Sequence, residues 1–370
     1  MKYRVTCLTP TLVGDGQKLA PIDYMVWKDH VNVLDQRRIF RLLSKGPRLE
    51  GYLDQLKKSD KLDFASWGGF AQNFSGRRIP FEHPSSIPVW ERAHSENLFI
   101  PTFATSLSGP YLPATAIKGA LRTGAVFERW SENTLRELAS RMEQDDRPSR
   151  NPAAKAEDAV LGGHASNRMK RVATADSDPV AYTGMKIYLL RTSTMVARGA
   201  GKFELGWKSP RGTADARRIE ESTPAFAEMA APGMVFEGLW KETSAHDRQK
   251  LFQASNSFAS SQIQRHKAYA DALGLQRLAE SLAEVEKRVP KPGNDPGNGA
   301  CVLSLGWGAG MLSKISVGDT ADPSYRSILR HVSAYQKAVQ TGLPFPKTRR
   351  IVFAAGQPAY LPGWVLLEVV

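Results

Sequence analysis

Ala300-Cys301-Val302-Leu303-Ser304-Leu305-Gly306-Trp307-Gly308-Ala309-Gly310-Met311-Leu312-Ser313-Lys314 is the stretch on which the reading of this chain turns. Residues 300–305 form a short, largely apolar run of strand type, and glycines at every second position then break it. An ordinary hairpin needs one or two glycines, whereas three in alternation suit a backbone pressed against another chain. Successive amides in such a loop can cradle an anion. Trp307 offers a ring on which a base can stack, and Lys314 a charge for a phosphate. The competing interpretation is a tight turn from a strand to its neighbour, with Trp307 in the core.

Working outward, residues 290–299 (PKPGNDPGNG) are a loop, and 248–287 is a long helical stretch with a break near Gly274. Downstream, 325–341 reads as a helix, and 350–354 and 364–369 as closing strands. At the start of the chain Tyr3, Val5, Cys7 and Thr9 alternate with Lys2, Arg4, Thr6 and Leu8, the pattern of a strand that Pro10 ends. Gly14-Asp15-Gly16 is a turn. A strand is expected at 31–34, with Asp35 as N-cap of a helix through Ile39, Phe40, Leu42 and Leu43. Helical spacing resumes at Tyr52, Leu53 and Leu56, then 68–101 is irregular. Helices are expected at 117–130 and 132–142, a mobile surface insertion at 144–156, and strands at 172–175, 186–195 and 235–240. Strands and helices intermingle without a clean βαβα series, so the fold class is α+β. Two similarly built parts are expected, 1–215 with helical and basic insertions and 216–370 with the glycine-rich loop.

A length of 370 residues exceeds what one core usually serves and suggests roughly two domains at ~150 residues each. A hydrophobic fraction of 42% and a charged fraction of 24% exclude wholesale disorder, a collagen-like fibre and a small disulfide scaffold. The longest weakly polar run, 300–312, falls short of the ~18–20 residues of a membrane helix. Met1-Lys2-Tyr3-Arg4 leads into a strand pattern and not an apolar signal core, so no secretion is implied. Cys7 and Cys301 are far apart with no CxxC, which reads as reduced thiols in a cytoplasm. Lys plus Arg number 50 against 37 Asp plus Glu, a net charge of +13 with pI ≈ 9.7. That surplus makes a polyanion the first suspected partner.

Catalytic and cofactor patterns are sparse. The seven histidines contain no HxxxH pair and none lies near a cysteine, so no zinc site is expected. His246-Asp247 stands at a helix start without the further ligands a metal phosphohydrolase needs. GxxxxGK[ST], GxSxG and a strand-linked GxGxxG are all absent, and no cofactor is expected. Asp176 and Asp178, in Ala-Asp-Ser-Asp-Pro, have the form of a two-carboxylate metal pair, but a position before Pro179 favours a turn.

A second loop has anion-binding character. Tyr111-Leu112-Pro113-Ala114-Thr115-Ala116-Ile117-Lys118-Gly119-Ala120-Leu121-Arg122-Thr123 sets small residues directly before a helix, whose first amides can hold an anion. Lys118 and Arg122 are i, i+4 on one face of it. Basic residues are also dense at Arg168, Lys170 and Arg171, at Arg198 and Lys202, and at Lys208, Arg211, Arg217 and Arg218. A groove lined by them would capture a single strand electrostatically; a solvated charged face is the bland alternative.

Together the two loops resemble the signature of the RAMP superfamily of CRISPR proteins. There a Pro-Gly-Ser-Ser-x-Lys-Gly loop opens a helix carrying an arginine, and a C-terminal glycine-rich loop ends in a lysine. Three more stretches resemble one branch, the Csm-type cap subunit. They are Leu8-Thr9-Pro10-Thr11-Leu12-Val13-Gly14-Asp15-Gly16 with Leu19-Ala20-Pro21-Ile22-Asp23-Tyr24 after it, Thr223-Pro224 through Pro232-Gly233-Met234-Val235-Phe236, and Lys347-Thr348-Arg349-Arg350 followed by Pro362-Gly363-Trp364-Val365. The matches run in order over most of the chain. One departure stands out: the family's Gly-Ser-Ser is here Ala114-Thr115-Ala116, and Ala114 lacks glycine's close backbone approach.

The resemblance implies two ferredoxin-like (RRM-like) halves and a non-catalytic, RNA-binding cap subunit of a type III-A effector. Such a subunit holds the 3′ part of the guide RNA and supports its maturation in antiviral defence. Its implied partners are guide RNA, the repeated backbone RAMP subunit and the small helical subunit, with host nucleases as further candidates. The expected RNA contacts are Gly14, Gly16, Thr115, Lys118, Arg122, Arg168, Lys170, Arg171, Arg198, Lys202, Gly306, Trp307, Gly308, Gly310, Lys314, Arg349 and Arg350. Two rivals stand beside this reading. One is a RAMP endoribonuclease processing guide precursor, for which His30, beside Asp29, is the single candidate. The other is a cap at the 5′ tag end. Asp23 resembles a loop aspartate that cleaves target RNA in the repeated backbone subunit; the alternative is that it caps a turn or pairs with Lys28.

Overall fold

The computed structural model describes residues 1–58, 74–144, 153–163, 167–199, 202–210, 213–291, 299–317, 319–333, 335–336, 339 and 344–370. The alternation at the start of the chain forms the strand Lys2–Cys7, burying Tyr3, Val5 and Cys7 and exposing Lys2 and Arg4. Antiparallel neighbours flank it, Trp364–Val369 on one side and Val235–Glu242 on the other. Ala300–Ser304 and Val172–Thr174 complete this five-stranded sheet at its two edges.

A second sheet is built around Met185–Ala197, a strand of 13 residues. Its beginning pairs with Ala225–Ala230 and its end with Phe203–Trp207. Thr348–Ala354 lies on its other side and pairs in turn with Gln357–Tyr360. Both sheets draw strands from before and after residue 215. The fold is α+β, with antiparallel sheets throughout.

Successive side chains of a strand point to opposite faces. Ile187, Leu189, Val302, Ile351, Phe353, Trp364 and Leu366 accordingly enter one apolar cluster. Their sequence neighbours Tyr188, Leu190, Leu303, Val352, Val365 and Leu367 enter another. Burial on both faces is why these strands read as near-continuous apolar runs. Cys7 and Cys301, both free thiols, lie within the second cluster, and burial raises the pKa of each, to about 12 for Cys7.

Two helices cover the first sheet. Ala114–Arg129 and Ala245–Ala272 cross at Gly124, where a Cβ would stand 2.8 Å from Ser255 Cα. Phe127 and Phe258 meet beside the crossing, ring centroids 5.2 Å apart. The long helix starts at Ser244, whose hydroxyl accepts from the Asp247 amide, and ends before Gly274, which has a φ of +66°. Gln276–Lys287 then packs against Gln357–Tyr360. Among the described residues no helix is long and apolar enough to cross a membrane.

Asp35 caps Gln36–Leu43 as expected, accepting from Arg38 N–H. The stretch 68–101 is more ordered than its composition suggests: it contains Ser75–Pro80, the short helix Ile87–Arg92 and Ile100–Pro101. Ser75–Pro80 (SGRRIP) has one buried apolar side chain and therefore no alternating signal; it is a strand through its ladder with His30–Leu34, which pairs in turn with Tyr24–Trp27. Ala225–Ala230 (AFAEMA) has helix-forming composition yet is a strand, because the ladder with Met185–Ala197 overrides local propensity. Of the helix expected over 325–341, the first part is Pro323–Arg330, capped by Asp322, and Gln336 and Val339 are helical as well; 334, 337–338 and 340–341 lie outside the described residues. A helix, Ala154–Leu161, begins within the insertion read at 144–156. Residues 68–73, 145–152 and 292–298 of the expected irregular segments lie outside the described residues.

Candidate functional site

Residues 12–17 connect segments that are remote in sequence. Trp307 N–H donates to the Leu12 carbonyl (2.8 Å), Ala104 N–H to Val13 (2.9 Å) and Thr102 N–H to Gln17 (3.2 Å). Ser316 Oγ donates to the Thr123 carbonyl at 3.0 Å and ties the downstream end of the glycine-rich segment to the 114–129 helix. Between these pieces lies a cavity of about 690 Å³. Among the described residues its charged lining side chains are Lys18 and Lys314, with no carboxylate. Gly14, Gly16, Thr115, Gly306 and Trp307 line it as well, so three separate stretches of expected RNA contacts meet at one place.

The helix contributes Thr115, Ala116, Gly119, Ala120 and Thr123. These positions form one stripe at helical spacing, and their small side chains leave the cavity open. Lys118 and Arg122 fall to one side of that stripe and do not line the cavity, and Arg122 is ion-paired with Glu157.

The N-terminus of this helix does not offer the anion grip that the sequence suggests. Asp176 Oδ1 already accepts from Ala114 N–H at 2.8 Å, and Ser177 Oγ accepts from Leu112 N–H at 2.8 Å. A carboxylate seated on the first amide opposes a second anion there. Asp176 is thus a cap supplied from a distant loop. Among the described residues no group of three or more His, Cys, Asp or Glu is placed to hold a metal ion.

Gly306, Gly308 and Gly310 have φ values of +76°, +88° and +86°. A Cβ on Gly306 would lie 2.1 Å from the Leu12 carbonyl oxygen, and one on Gly308 2.9 Å from Pro362 Cγ; at Gly310 nothing stands within 4 Å. What presses against the first two glycines, the Leu12 backbone and the Pro362 ring, is therefore the protein's own, which corrects the inference that their spacing reports an approach to another chain. Trp307 is half-buried, with the Arg350 guanidinium 4.1 Å from its ring centroid. One face of the indole is thus occupied by a cation and is not the open stacking platform the sequence suggests.

Arg349 is a half-buried cation whose hydrogen bonds go to the protein itself. Its Nε donates to His266 Nδ1 (3.0 Å), Nη1 donates to the carbonyls of Pro346 (2.7 Å) and Thr348 (2.9 Å), and the guanidinium lies 4.4 Å over Tyr269. Burial lowers its pKa to about 10. Burial first, then the charges of Arg349 and Arg265, holds His266 well below the usual imidazole range. With every one of these bonds directed inward, Arg349 makes a poor phosphate contact.

The basic runs do not build one groove. Arg168, Lys170 and Arg171 precede Val172–Thr174, the edge strand of the first sheet. Arg198 and Lys202 flank the turn between two strands of the second sheet. Several of these cations are taken by carboxylates: Arg171 by Asp247 (3.1 Å), Lys208 by Asp215 (2.7 Å), Arg198 by Glu204 and Arg218 by Glu221. Arg211 lies outside the described residues.

Asp23 uses both carboxylate oxygens locally. Oδ2 accepts from Ala20 N–H (2.7 Å) and Oδ1 from Gln36 Nε2 (2.8 Å), which is a turn cap. His30 Nδ1 is 2.7 Å from Asp29 Oδ1 on the Tyr24–Trp27/His30–Leu34 hairpin. Neither Asp23 nor His30 lines the cavity. Sequence reasoning does not find Lys18, although it follows Gly16 by two residues; the glycines mark the turn, and nothing local shows that the lysine lines the same cavity as Lys314.

Residues 4–344 match the model of the RAMP superfamily, and the chain belongs to that superfamily. Its fold is similar to a chain in the cryo-EM structure of a Csm–crRNA–target RNA ternary complex of a type III-A CRISPR–Cas system. The TM-score there is 0.66 at 17% identity, with 100% of each chain covered. It is also similar to the crystal structure of T. onnurineus Csm5, with TM-score 0.60 at 16% identity, covering 99% of this chain and 100% of that one. No curated protein matches the chain.

Proposed function

We propose that this protein is a non-catalytic, RNA-binding cap subunit of a type III-A CRISPR (Csm) ribonucleoprotein, holding the 3′ part of the guide RNA and supporting its maturation. The observation that carries this reading is the cavity between residues 14–18, 115–123 and 304–314, whose charged lining groups are two lysines. A polyanion is attracted to such a site, and single-stranded RNA brings bases that can use its apolar walls. The +13 balance adds long-range attraction. Fold likeness to the two Csm structures supports the assembly, with guide RNA and the backbone and small helical subunits as partners.

The test is binding of a single-stranded guide-like RNA across a salt titration. Single-strand binding weakens with a slope of about −0.7 per neutralised phosphate. Lys18→Glu and Lys314→Glu, both at exposed positions, are expected to weaken binding and flatten the slope by about one phosphate each. A binding constant that does not respond to salt, or that both substitutions leave unchanged, would remove the cavity from the RNA path.

A further inference from the structure

A second cavity of about 540 Å³ lies on the other side of the Trp307–Arg350 stack. Trp307 lines the first cavity and Arg350 the second, with ring and guanidinium 4.1 Å apart, so the stacked pair is the partition between them. The second is formed where three backbone segments run side by side: Lys208 N–H donates to the Thr192 carbonyl (2.8 Å) and Thr223 N–H to the Lys208 carbonyl (2.9 Å). Arg350 stands opposite Thr192 across the neighbouring ladder.

The lining chemistry is that of a polar, cationic slot. Arg350 and Lys208 bring charge to it against one lining carboxylate, Glu96, and Arg191 forms part of its wall. Arg191 is buried with Nη1 donating to the carbonyls of Ile219 and Ser222 at 2.6 Å each, so it holds the 219–222 segment against the strand and is not itself a ligand contact. Asn97, Thr192 and Thr223 supply neutral hydrogen-bonding groups, and the Thr223 hydroxyl has no hydrogen-bond partner among the described residues. A volume in the range of small-ligand sites, cationic walls and amide and hydroxyl groups together fit one nucleotide.

We infer that the second cavity is a further nucleotide subsite, so that one single-stranded RNA passes from the glycine-lined cavity over the Trp307–Arg350 partition and seats its next nucleotide against Thr192, Lys208 and Thr223. This rests on the proposed function, since it needs RNA in the first cavity. Arg350 then serves both sides, its guanidinium held by the indole while it faces the second phosphate. The pairing of Lys208 with Asp215 sets the position of that ammonium and moderates its charge.

The experiment uses the full-length protein with a single-stranded RNA of about 12 nucleotides carrying 4-thiouridine throughout, irradiated and mapped by mass spectrometry. Cross-links are expected in peptides from both cavities, around Trp307 and around Thr192 or Lys208. Thr192→Glu, which sets a carboxylate in the second cavity, is expected to weaken this RNA at least about fivefold, the low end of what one held base contributes. It should leave a ~4-nucleotide RNA within about twofold, whereas Lys314→Glu weakens both. Lys208→Ala serves as a second variant, with circular dichroism melting to confirm that each is folded. Cross-links confined to the first cavity, with both second-cavity variants binding like wild type, overturn the subsite and leave the proposed function standing. An absence of cross-links at the first cavity overturns both. Unchanged RNA binding with lost assembly into a larger particle makes the second cavity a protein contact and likewise overturns the inference.

Discussion

Gly306 and Gly310 share a left-handed backbone but not an environment. At Gly306 a side chain meets the Leu12 carbonyl, whereas at Gly310 it meets open space. Gly310→Ala is therefore expected to cost only the conformational penalty, about 1–2 kcal/mol. Gly306→Ala adds the displacement of the 12–17 loop and should cost clearly more. Chemical denaturation of the two variants checks this, and equal midpoints would mean that Gly306 is not held by Leu12. Asp23 permits a different kind of test. With both oxygens committed to a turn, Asp23→Ala is expected to lower stability by about 1 kcal/mol and to leave RNA cleavage by a reconstituted complex intact. Loss of even one cleavage product, with assembly unchanged, would make Asp23 catalytic.

Among the elements, the helix Ala114–Arg129 joins core and site: Ile117 and Leu121 are fully buried while Thr115, Gly119 and Thr123 line the cavity. Helical periodicity makes the buried face legible in the sequence. The cap is not legible, because Asp176 lies 62 residues downstream of the amide it holds. Asp176→Ala is expected to destabilise the protein by about 0.5–2 kcal/mol, the usual worth of an N-cap. Thermal unfolding measures it, and Asp176→Asn, which keeps an acceptor oxygen, should recover most of the loss. If the two variants melt together well below wild type, the carboxylate's charge and not its acceptor is what the helix needs.

For the whole molecule, the three-stranded sheet of Tyr24–Trp27, His30–Leu34 and Ser75–Pro80 is joined to the second large sheet by an ion pair whose carboxylate is buried. Arg77, on Ser75–Pro80, makes two hydrogen bonds to Glu228 at 2.7 and 2.9 Å, and Glu228 is fully buried in Ala225–Ala230. Burial raises the Glu228 pKa, and Arg77 pulls it back. Arg77→Met leaves the carboxylate without its cation and is expected to cost about 3–5 kcal/mol at neutral pH. The pH dependence has a definite sign. A carboxyl whose folded pKa is raised is neutral and inexpensive in acid, and its cost grows as pH rises through that value. Removing Arg77 raises the pKa further, so the gap between variant and wild type should narrow on acidification. Denaturant midpoints across pH measure it; a gap that widens in acid would contradict the burial of Glu228.

What the sequence determined by itself is what is encoded locally or in period. The alternation of Tyr3, Val5 and Cys7, the apolar runs at 300–305, 350–354 and 364–369, the Asp35 cap and the helix break at Gly274 all express neighbours within a few residues. The glycine-rich loop and the Pro113–Lys118 segment were legible as motifs, and with them the RAMP superfamily. Only the tertiary structure decided what those motifs face. Strands Ser75–Pro80 and Ala225–Ala230 exist because distant ladders complete their backbone hydrogen bonds and Arg77 satisfies Glu228. Arg349, Arg122 and Arg171 read as phosphate contacts until His266, Glu157 and Asp247, each remote in sequence, are found beside them. Lys18 and Lys314 become one site because the loop after the first strand is hydrogen-bonded to the loop after Ala300–Ser304. Charge and spacing belong to the chain, but whether a cation is free or already paired depends on which surfaces folding brings within a few ångströms, and Coulomb and hydrogen-bond energies are decided at that range.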